Sequence, residues 1–398
     1  MRSLIIYTGN FAEPDNNAAG KRVYGNSLIL ESLGYDVLLL GKTQDEHYSG
    51  KKKYTDHISF ESYPDYGRIK YKGYVAYLKK TIEEQKVKPA CIIRYGAPGL
   101  SVYDNEVLKL AHEKGIKVVA DVVDWLSSDG GNIIFNAVKN FDTYMEKAVY
   151  NNKSDGVIAI SSYLGEYYKK RVKNVVVIPP IAPEYRENTA ENEMVTIMYA
   201  GVPFRIGLKV KDVHKIKDRL DIAIEALAEV YKGGFTNFRF KIFGITKEQY
   251  LVTFPEQEDI INLTSDVIFF YGRRPMSEIQ AELTKSDFSI LLREVTRGTT
   301  AGFPTKVVES MSCGTPMITT KTSDLSNYIR NGENGFFVNI GNREELVNSL
   351  SRITSMSKKN IMNLKQICYA DKAFLPIEFK TMFEIFFESV VGLGHDKL

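Results

Sequence analysis

The chain has 398 residues, which is too long for one ordinary hydrophobic core and makes two domains the natural expectation. Its composition, 44% hydrophobic and 25% charged, is typical of a globular protein, and a formal net charge of only +3 argues against broad nucleic-acid binding. The three cysteines, Cys91, Cys313 and Cys368, form neither a disulfide framework nor a metal-ligand pattern, which favours a reducing, cytoplasmic compartment.

The first half of the chain alternates short apolar runs with segments of helical spacing. The predicted strands are 3–9, 35–41, 91–96, 116–122, 155–161 and 174–180, and the predicted helices are 22–34 and 107–115. Because these strands are apolar on both faces, we expect a parallel sheet covered by helices on each side. The Pro-rich and charged segment 179–193 is predicted to be an interdomain linker.

A second series of the same kind follows the linker. Its predicted strands are 195–201, 238–244, 267–272, 288–294 and 316–320, and its predicted helices are 218–234, 306–314 and 377–391. The sequence therefore predicts an α/β protein with two Rossmann-like domains, 1–185 and 186–375. The remaining residues, 376–398, are predicted to form a C-terminal helix that packs back on the N-terminal domain. Ligands of such sheets bind at the carboxyl ends of the strands.

Several ligand-binding signatures are absent from the sequence. There is no G-x-G-x-x-G after the first strand, no G-x-x-x-x-G-K-[ST], no D-x-D and no G-x-S-x-G, and the five histidines lack metal-ligand spacing. We therefore expect no metal and no bound cofactor. Backbone amides and basic side chains are expected to hold the ligand instead.

The most informative segment runs from 291 to 338. A strand ends at Arg293, and a loop with Gly298 and Gly302 leads to a helix that is predicted to begin near Pro304 or Thr305. Proline suits the first helical turn, where unpaired backbone N–H groups form an anion site.

Three charged side chains extend this candidate anion site. Lys306, with Arg293, would add positive charge, and Glu309 is expected within the first turn or so of the helix, where it would accept bonds from vicinal hydroxyls. A diphosphate with hydroxyl groups describes a nucleotide sugar. The alternative is an ordinary strand–loop–helix with a surface lysine and a well-placed acid, and the chemistry alone favours neither.

The same segment resembles the donor site of the family 4 retaining glycosyltransferases. The matching residues are Gly302-Phe303, Glu309, Gly314-Thr315-Pro316 and Asn331-Gly332-Glu333-Asn334-Gly335-Phe336. The similarity is strongest across 195–340, and it is closest to transferases that build bacterial surface polysaccharides. It implies the GT-B fold, in which two Rossmann-like domains face each other across a cleft.

The resemblance also implies an activity. It is the transfer of a sugar, with retention of configuration, from a nucleotide-sugar donor to a glycan or lipid-linked acceptor, with a UDP-sugar as the expected donor. In the family a glutamate stands eight residues before the second glutamate, and that position is Ala301 here. Two other classes stay open: a nucleotide-sugar epimerase or hydrolase of the same fold, and a non-catalytic partner that binds a sugar nucleotide or a glycan.

The family pattern extends to residues outside this segment. On the donor side it implies Gly201, Arg205 and Lys217, and the two cations would neutralise the diphosphate together with the 302–306 segment, that is Gly302, Phe303, Pro304, Thr305 and Lys306. Arg205 is chosen because 207–215 resembles an insertion. As an alternative, Lys217 is a lysine at the edge of a helix.

On the acceptor side the resemblance implies Gly9, Gly20 and Arg22, although a solvated Arg22 is an alternative. Asp124 lies where many relatives carry a histidine near the donor sugar, and it otherwise caps the next segment. The predicted catalytic residues are thus Lys217, Asp124 and Glu309. Ser161 is predicted to be a helix N-cap rather than a ligand contact.

Residues 41–90 carry a local excess of basic residues among seven tyrosines. Such a mixture suits the face of an anionic membrane, where lipid-linked acceptors are presented, and an ordinary solvated surface is the alternative. No stretch approaches the ~18–20 apolar residues that span a bilayer. We therefore expect a cytoplasmic protein, soluble or peripheral on the inner face of the membrane.

Overall fold

The computed structural model describes residues 2–14, 17–42, 51–64, 66–67, 70–125, 133–208 and 216–392, and the chain divides into two compact units. The first unit comprises Met1–Pro183, Ala301–Phe303 and Phe374–Leu398, and the second comprises Glu184–Thr300 and Pro304–Ala373. Apart from Ala301–Phe303, the boundaries between the units, 183/184 and 373/374, lie two residues before the predicted domain boundaries at 185/186 and 375/376.

The first unit is built on an eight-stranded sheet. Its strands are β1 (Ser3–Gly9), β2 (Tyr35–Gly41), β3 (Lys51–Lys53), β4 (Ile58–Ser62), β5 (Cys91–Tyr95), β6 (Lys117–Val122), β7 (Gly156–Ala159) and β8 (Val175–Val177). Their order is β3-β4-β2-β1-β5-β6-β7-β8, and all neighbours are parallel except β3 and β4. The order reverses between β1 and β5, which is the switch point of a doubly wound fold.

Helices connect these strands. They are α1 (Ala18–Ser32), α2 (Tyr71–Glu83), α3 (Val102–Glu113), α4 (Ile133–Tyr144) and α5 (Ser162–Lys169). After α4 the chain continues through a π-helical turn, Met145–Tyr150. The sheet is buried because its strands are apolar on both faces, as in β1, where Ile5, Ile6 and Tyr7 are inaccessible to solvent.

The second unit contains a six-stranded sheet that is parallel throughout. Its strands are β9 (Val195–Ala200), β10 (Phe238–Phe243), β11 (Ile268–Gly272), β12 (Phe288–Leu291), β13 (Met317–Thr319) and β14 (Gly335–Phe337). The order β11-β10-β9-β12-β13-β14 is that of a Rossmann fold, and it reverses between β9 and β12.

Eight helices accompany the second sheet among the described residues. They are α6 (Leu220–Lys232), α7 (Lys247–Leu251), α8 (Glu258–Leu263), α9 (Met276–Leu283), α10 (Arg297–Ala301), α11 (Thr305–Ser312), α12 (Arg343–Thr354) and α13 (Lys358–Asp371). The two-domain α/β fold with parallel sheets predicted from the sequence is confirmed.

The last helix, α14 (Pro376–Val391), belongs to the first unit and contacts α1 and β8. The ring of Phe387 lies 6.0 Å from that of Tyr35 in β2. Gly156 in β7 leaves room for the helix, since a Cβ there would lie 2.7 Å from Phe386 Cζ. No helix in the part of the chain described here is both long and apolar enough to cross a membrane.

The structure corrects three details of the sequence analysis. The first helix begins at Ala18 rather than at 22, because the Asn17 side chain accepts a bond from Gly20 N at 2.8 Å and caps it. The segment between Arg293 and Pro304 is not a continuous loop, since α10 lies within it. Residues 41–90, for which no element was predicted, contain β3, β4 and α2.

Candidate functional site

The strand order of the second unit brings the candidate donor residues together at one edge of its sheet. β9 and β12 are hydrogen-bonded neighbours on either side of the switch point. Gly201 directly follows β9, Arg293 lies two residues beyond β12, and α11 begins at Thr305 after Pro304, as predicted. In open α/β sheets this edge is where ligands bind.

Gly201 and Lys306 approach each other closely. Gly201 has a positive φ of 144°, and a Cβ on it would collide with Cε and Nζ of Lys306. Lys306 Nζ donates a hydrogen bond to the Tyr199 hydroxyl at 3.0 Å and lies 4.6 Å from the centre of its ring. The absence of a side chain at position 201 therefore lets the Lys306 ammonium lie against the carboxyl end of β9.

Asp218 binds both cations of this edge. Its Oδ1 accepts from Arg293 Nε at 2.7 Å and lies 2.7 Å from Arg293 NH2. Its Oδ2 accepts from the Tyr199 hydroxyl at 3.0 Å and from Lys306 Nζ. The exposed fractions of the three charged side chains are 6% for Asp218, 10% for Arg293 and 23% for Lys306, so Lys306 is the one that solvent reaches most.

The pKa shifts in this cluster follow from burial and from the neighbouring charges. Burial lowers the pKa of Lys306, Asp218 opposes that shift, and Arg293 adds to it, with a net pKa below the usual value. Burial alone would raise the pKa of Asp218, but Lys306 and Arg293 outweigh it and lower the pKa. The ion-paired cluster thus joins two cations to one carboxylate beside the switch point, and the Glu309 carboxylate of α11 also acts on Lys306.

Sequence reasoning did not identify Asp218 and Tyr199. Asp218 follows the predicted Lys217 directly, and Tyr199 lies two residues before the predicted Gly201. Burial also raises the pKa of the Tyr199 hydroxyl well above its usual value, with a further contribution from Asp218. Apart from the position of Asp218 directly after Lys217, the sequence carried no signal for either residue.

Other predicted donor residues lie near this cluster in sequence. Lys217 and Arg205 are exposed, and Glu309 is partly buried in the second turn of α11 rather than in its first turn. Thr305 is partly exposed at the helix N-terminus and Pro304 is buried. Most of the presumed insertion, 209–215, lies outside the described residues.

Gly302 and Phe303 are buried and group with the first unit, as does Ala301. The Phe303 ring lies 6.0 Å from that of Phe374. Ser161 caps α5, as predicted, through a bond from Leu164 N at 3.4 Å, and its hydroxyl donates to the Ala301 carbonyl at 2.6 Å. The position at which the family has its first glutamate is therefore occupied by a small side chain with no solvent exposure.

The predicted acceptor-side residues lie in the first unit. Gly9 ends β1 at the switch point with φ +147°, and a Cβ there would collide with the Tyr95 carbonyl. Gly20 lies in the first turn of α1, close to the carbonyls of the preceding loop. Arg22 is buried in an ion pair with Asp121 rather than solvated. Asp124 is exposed just after β6, and the segment 126–132 that it would cap lies outside the described residues.

Within the described residues, no group of three or more His, Cys, Asp or Glu side chains is arranged to hold a metal ion. The ionic cluster at the switch point instead combines one carboxylate with two cations. Such a cluster can bind an anion through the Lys306 ammonium and the N–H groups of the neighbouring helix N-terminus.

Much of the second unit matches the sequence model of a known protein family. The sequence model of the family described as "Glycosyl transferases group 1" matches residues 212–368. A Salmonella typhimurium protein provisionally named as the colanic acid biosynthesis glycosyltransferase WcaL is 32% identical over 124 residues, which is 31% of this chain and 29% of that protein. The chain thus matches less than a third of the length of this curated relative.

Solved structures match over nearly the whole chain. Sucrose-phosphate synthase from Thermosynechococcus elongatus has a TM-score of 0.70 and 13% identity, covering 99% of this chain and 100% of that one. The Anabaena protein Alr3699/HepE, solved in complex with UDP and glucose, has a TM-score of 0.64 and 14% identity, covering 98% and 100%. At these identities the likeness shows the fold alone. Residues 212–368 thus match the glycosyl transferases group 1 family model, and the two-unit α/β fold of the chain matches that of GT-B glycosyltransferase structures.

Proposed function

We propose that this chain is a glycosyltransferase that transfers a sugar from a UDP-sugar to a saccharide or lipid-linked acceptor with retention of configuration. The observation that carries the proposal is the position of Lys306 and Arg293 at the carboxyl ends of β9 and β12, within the segment that matches the family. A nucleotide diphosphate is the anion that this arrangement suits, and the resemblance to family 4 supplies retention.

The proposed mechanism uses electrostatic stabilisation by protein groups. As the bond between the sugar C1 and the diphosphate oxygen breaks, negative charge develops on the diphosphate. The N–H groups at the start of α11, with Lys306, Lys217 and Arg205, would stabilise that charge and replace a metal ion. The acceptor hydroxyl forms the new bond to C1 on the same face and gives its proton to the departing diphosphate. Glu309 would accept hydrogen bonds from donor hydroxyls.

We further propose a role in bacterial surface polysaccharide synthesis on the cytoplasmic face of the membrane. The name of the Salmonella relative supports the polysaccharide role. The basic, tyrosine-rich segment 41–90 supports peripheral contact with an anionic membrane, and of this segment 43–50, 65 and 68–69 lie outside the described residues.

The test starts from the donor. UDP-, GDP- and ADP-sugars are screened by thermal shift, and a donor that stabilises the protein is then used in transfer assays with lipid-linked and free saccharide acceptors, with and without EDTA. We expect binding and transfer in EDTA, and loss of both in Lys306→Ala. Lys232→Ala, on the exposed end of α6, is the control that should retain both. Stabilisation by no sugar nucleotide would refute the proposal.

Ala301 favours a second candidate, a non-catalytic protein that binds a sugar nucleotide. A buried alanine stands where the family has its first glutamate, which in the family contacts the donor sugar. Calorimetric binding of UDP without any transfer across the acceptor panel would favour this candidate, and transfer to any acceptor would exclude it.

A further inference from the structure

Building on the proposed function, we propose that Asp218 is a positioning residue for the donor diphosphate. Its carboxylate holds the Lys306 ammonium over Gly201, charged and facing the switch point. Asp218 itself does not touch the donor. The residue acts through Lys306, and it has a role that neither the family motif nor the sequence indicated.

The hydrogen bonds divide the carboxylate between the two cations. Oδ1 is taken by Arg293, whereas Oδ2 is taken by Lys306 and the Tyr199 hydroxyl. One acid therefore fixes the separation of the two positive groups, because each is bound to a different oxygen. Arg293 holds Oδ1 through two nitrogens, Nε and NH2, while Tyr199 and Lys306 hold Oδ2, so both oxygens of the carboxylate are fixed.

The backbone around Asp218 is also tied to the sheet. The next residue, Arg219, donates its N–H to the Leu292 carbonyl at 2.8 Å, which joins this segment to the end of β12. Arg293 N donates to the Thr320 hydroxyl at 3.0 Å, and that hydroxyl donates to the Arg293 carbonyl at 2.7 Å. Asp218 is thus held on a rigid support, as the placement of a ligand-binding cation requires.

The charge balance gives Asp218 a second effect on Lys306. The groups facing Lys306 are Asp218 from the segment before α6, Arg293 from the loop after β12, Tyr199 from β9 and Glu309 from its own helix. Burial and Arg293 both favour the neutral amine, whereas Asp218 is the main charge that favours the ammonium, with a smaller contribution from Glu309. Removing that carboxylate therefore lowers the pKa of Lys306 further and also removes the group that holds its ammonium in place.

A second buried Asp–Lys pair in the same unit provides the contrast. Lys365 Nζ lies 2.6 Å from Asp287 Oδ1 and also donates to the Ala190 carbonyl at 2.6 Å. Both side chains are buried, so this ammonium is not accessible to a ligand. Lys306, by contrast, keeps 23% of its side chain exposed, beside the start of α11. The Asp287–Lys365 pair is therefore the matched control.

The experiment measures nucleotide binding as a function of pH. UDP, GDP and ADP are titrated calorimetrically into wild type, Asp218→Asn and Asp287→Asn at about pH 6.5, 7.5 and 8.5. In Asp218→Asn the amide still accepts from Arg293, but it no longer supplies a negative charge to Lys306. Comparing each variant with wild type at the same pH cancels the titration of the nucleotide itself.

We expect Asp218→Asn to weaken binding about tenfold or more at the highest pH, and by no larger a factor at the lowest, because loss of the carboxylate lowers the pKa of Lys306 further. Asp287→Asn should lower the melting temperature and keep the wild-type affinity at each pH. Should Asp218→Asn fail to fold, Gly201→Ala displaces Lys306 while leaving every charge in place, and it should weaken binding without a new pH dependence.

The outcomes separate the two proposals. If the wild type binds none of the three nucleotides, the proposed function and the role of Asp218 both fall. If the wild type binds and Asp218→Asn binds equally well or more tightly at every pH, only the role of Asp218 falls. The same pH-dependent loss in Asp287→Asn would also overturn that role, because the effect would then follow from general destabilisation.

Discussion

Arg22 and Asp121 form a buried ion pair in the first unit, with Arg22 NH2 2.6 Å from Asp121 Oδ1 and exposed side-chain fractions of 2% and 0%. Arg22 NH1 also donates to the Ile178 carbonyl at 2.9 Å. The Tyr7 hydroxyl donates to Asp121 Oδ2, and Asn26 Nδ2 donates to that hydroxyl at 3.0 Å. The network joins α1 to β1, to β6 and to the segment that follows β8.

Removing the guanidinium should strongly destabilise the first unit. In Arg22→Met the Asp121 carboxylate loses its counter-charge while remaining buried, so we expect the free energy of unfolding to fall by about 3–5 kcal/mol. Urea denaturation measures the change, and Arg22→Met/Asp121→Leu, which removes both charges, should recover part of it. A stable Arg22→Met protein that had lost transfer would instead support the acceptor-side role predicted from the family.

The alternation of strands and helices in the fold was predictable from local pattern. Runs such as 3–9 and 195–201 are apolar on both faces, which is the pattern expected of buried parallel strands. The edge strand β3, Lys51–Lys53, was not predictable in this way because its three lysines are exposed and it is held by pairing with β4 alone. Its formation depends on the antiparallel hairpin that it makes with β4 rather than on an apolar run of its own.

The candidate site was predictable only in part, because some of its contacts join residues that are far apart in sequence. The start of α11 at Thr305 follows from proline chemistry, and Lys306 and Arg293 could be named as cations. Their shared partner Asp218 lies 75 residues from Arg293 and 88 from Lys306. That pairing is set by the order of strands at the switch point, which no local pattern in one sequence reveals.

The packing of α14 gives a prediction with an internal control. Phe387 is 1% exposed and packs against Tyr35, whereas Ile385 on the same helix is 63% exposed. Phe387→Ala should lower the free energy of unfolding by about 3–5 kcal/mol through the loss of buried area and the cavity left behind. Ile385→Ala should change it by less than about 0.5 kcal/mol. Chemical denaturation of both variants checks this, and equal effects would contradict the docking of α14.

Lys217 provides a test of catalysis that is separate from folding. The side chain is exposed beside Asp218, so Lys217→Ala should leave the melting temperature within about 2 °C of wild type. If Lys217 stabilises the departing diphosphate, turnover should fall by about 10²-fold or more. Steady-state assays with the donor identified by thermal shift measure this, with Lys232→Ala as control. Wild-type turnover in Lys217→Ala would remove Lys217 from the mechanism.

Glu146, in the π-helical turn after α4, lies among other acids. Burial, together with the charges of Asp104 and Asp142, raises its pKa from 4.5 to about 8 against the opposing effect of Arg94. Because the pKa is higher in the folded state, the unfolded chain ionises first as pH rises. Below about pH 4 Glu146 therefore does not lower the free energy of unfolding. Between about pH 4.5 and 8 it lowers the free energy of unfolding progressively.

Glu146→Gln should remove that cost. The variant and the wild type should have similar free energies of unfolding near pH 4.5, and the variant should be more stable by about 1 kcal/mol or more near pH 8. Urea titrations at the two pH values measure the difference. Glu113→Gln, which removes an exposed carboxylate from α3, controls for the change in net charge and should show no such gain. A Glu146→Gln protein that is less stable than wild type at pH 8 would mean that the ionised carboxylate is bound favourably, with Arg94 outweighing burial and the neighbouring acids.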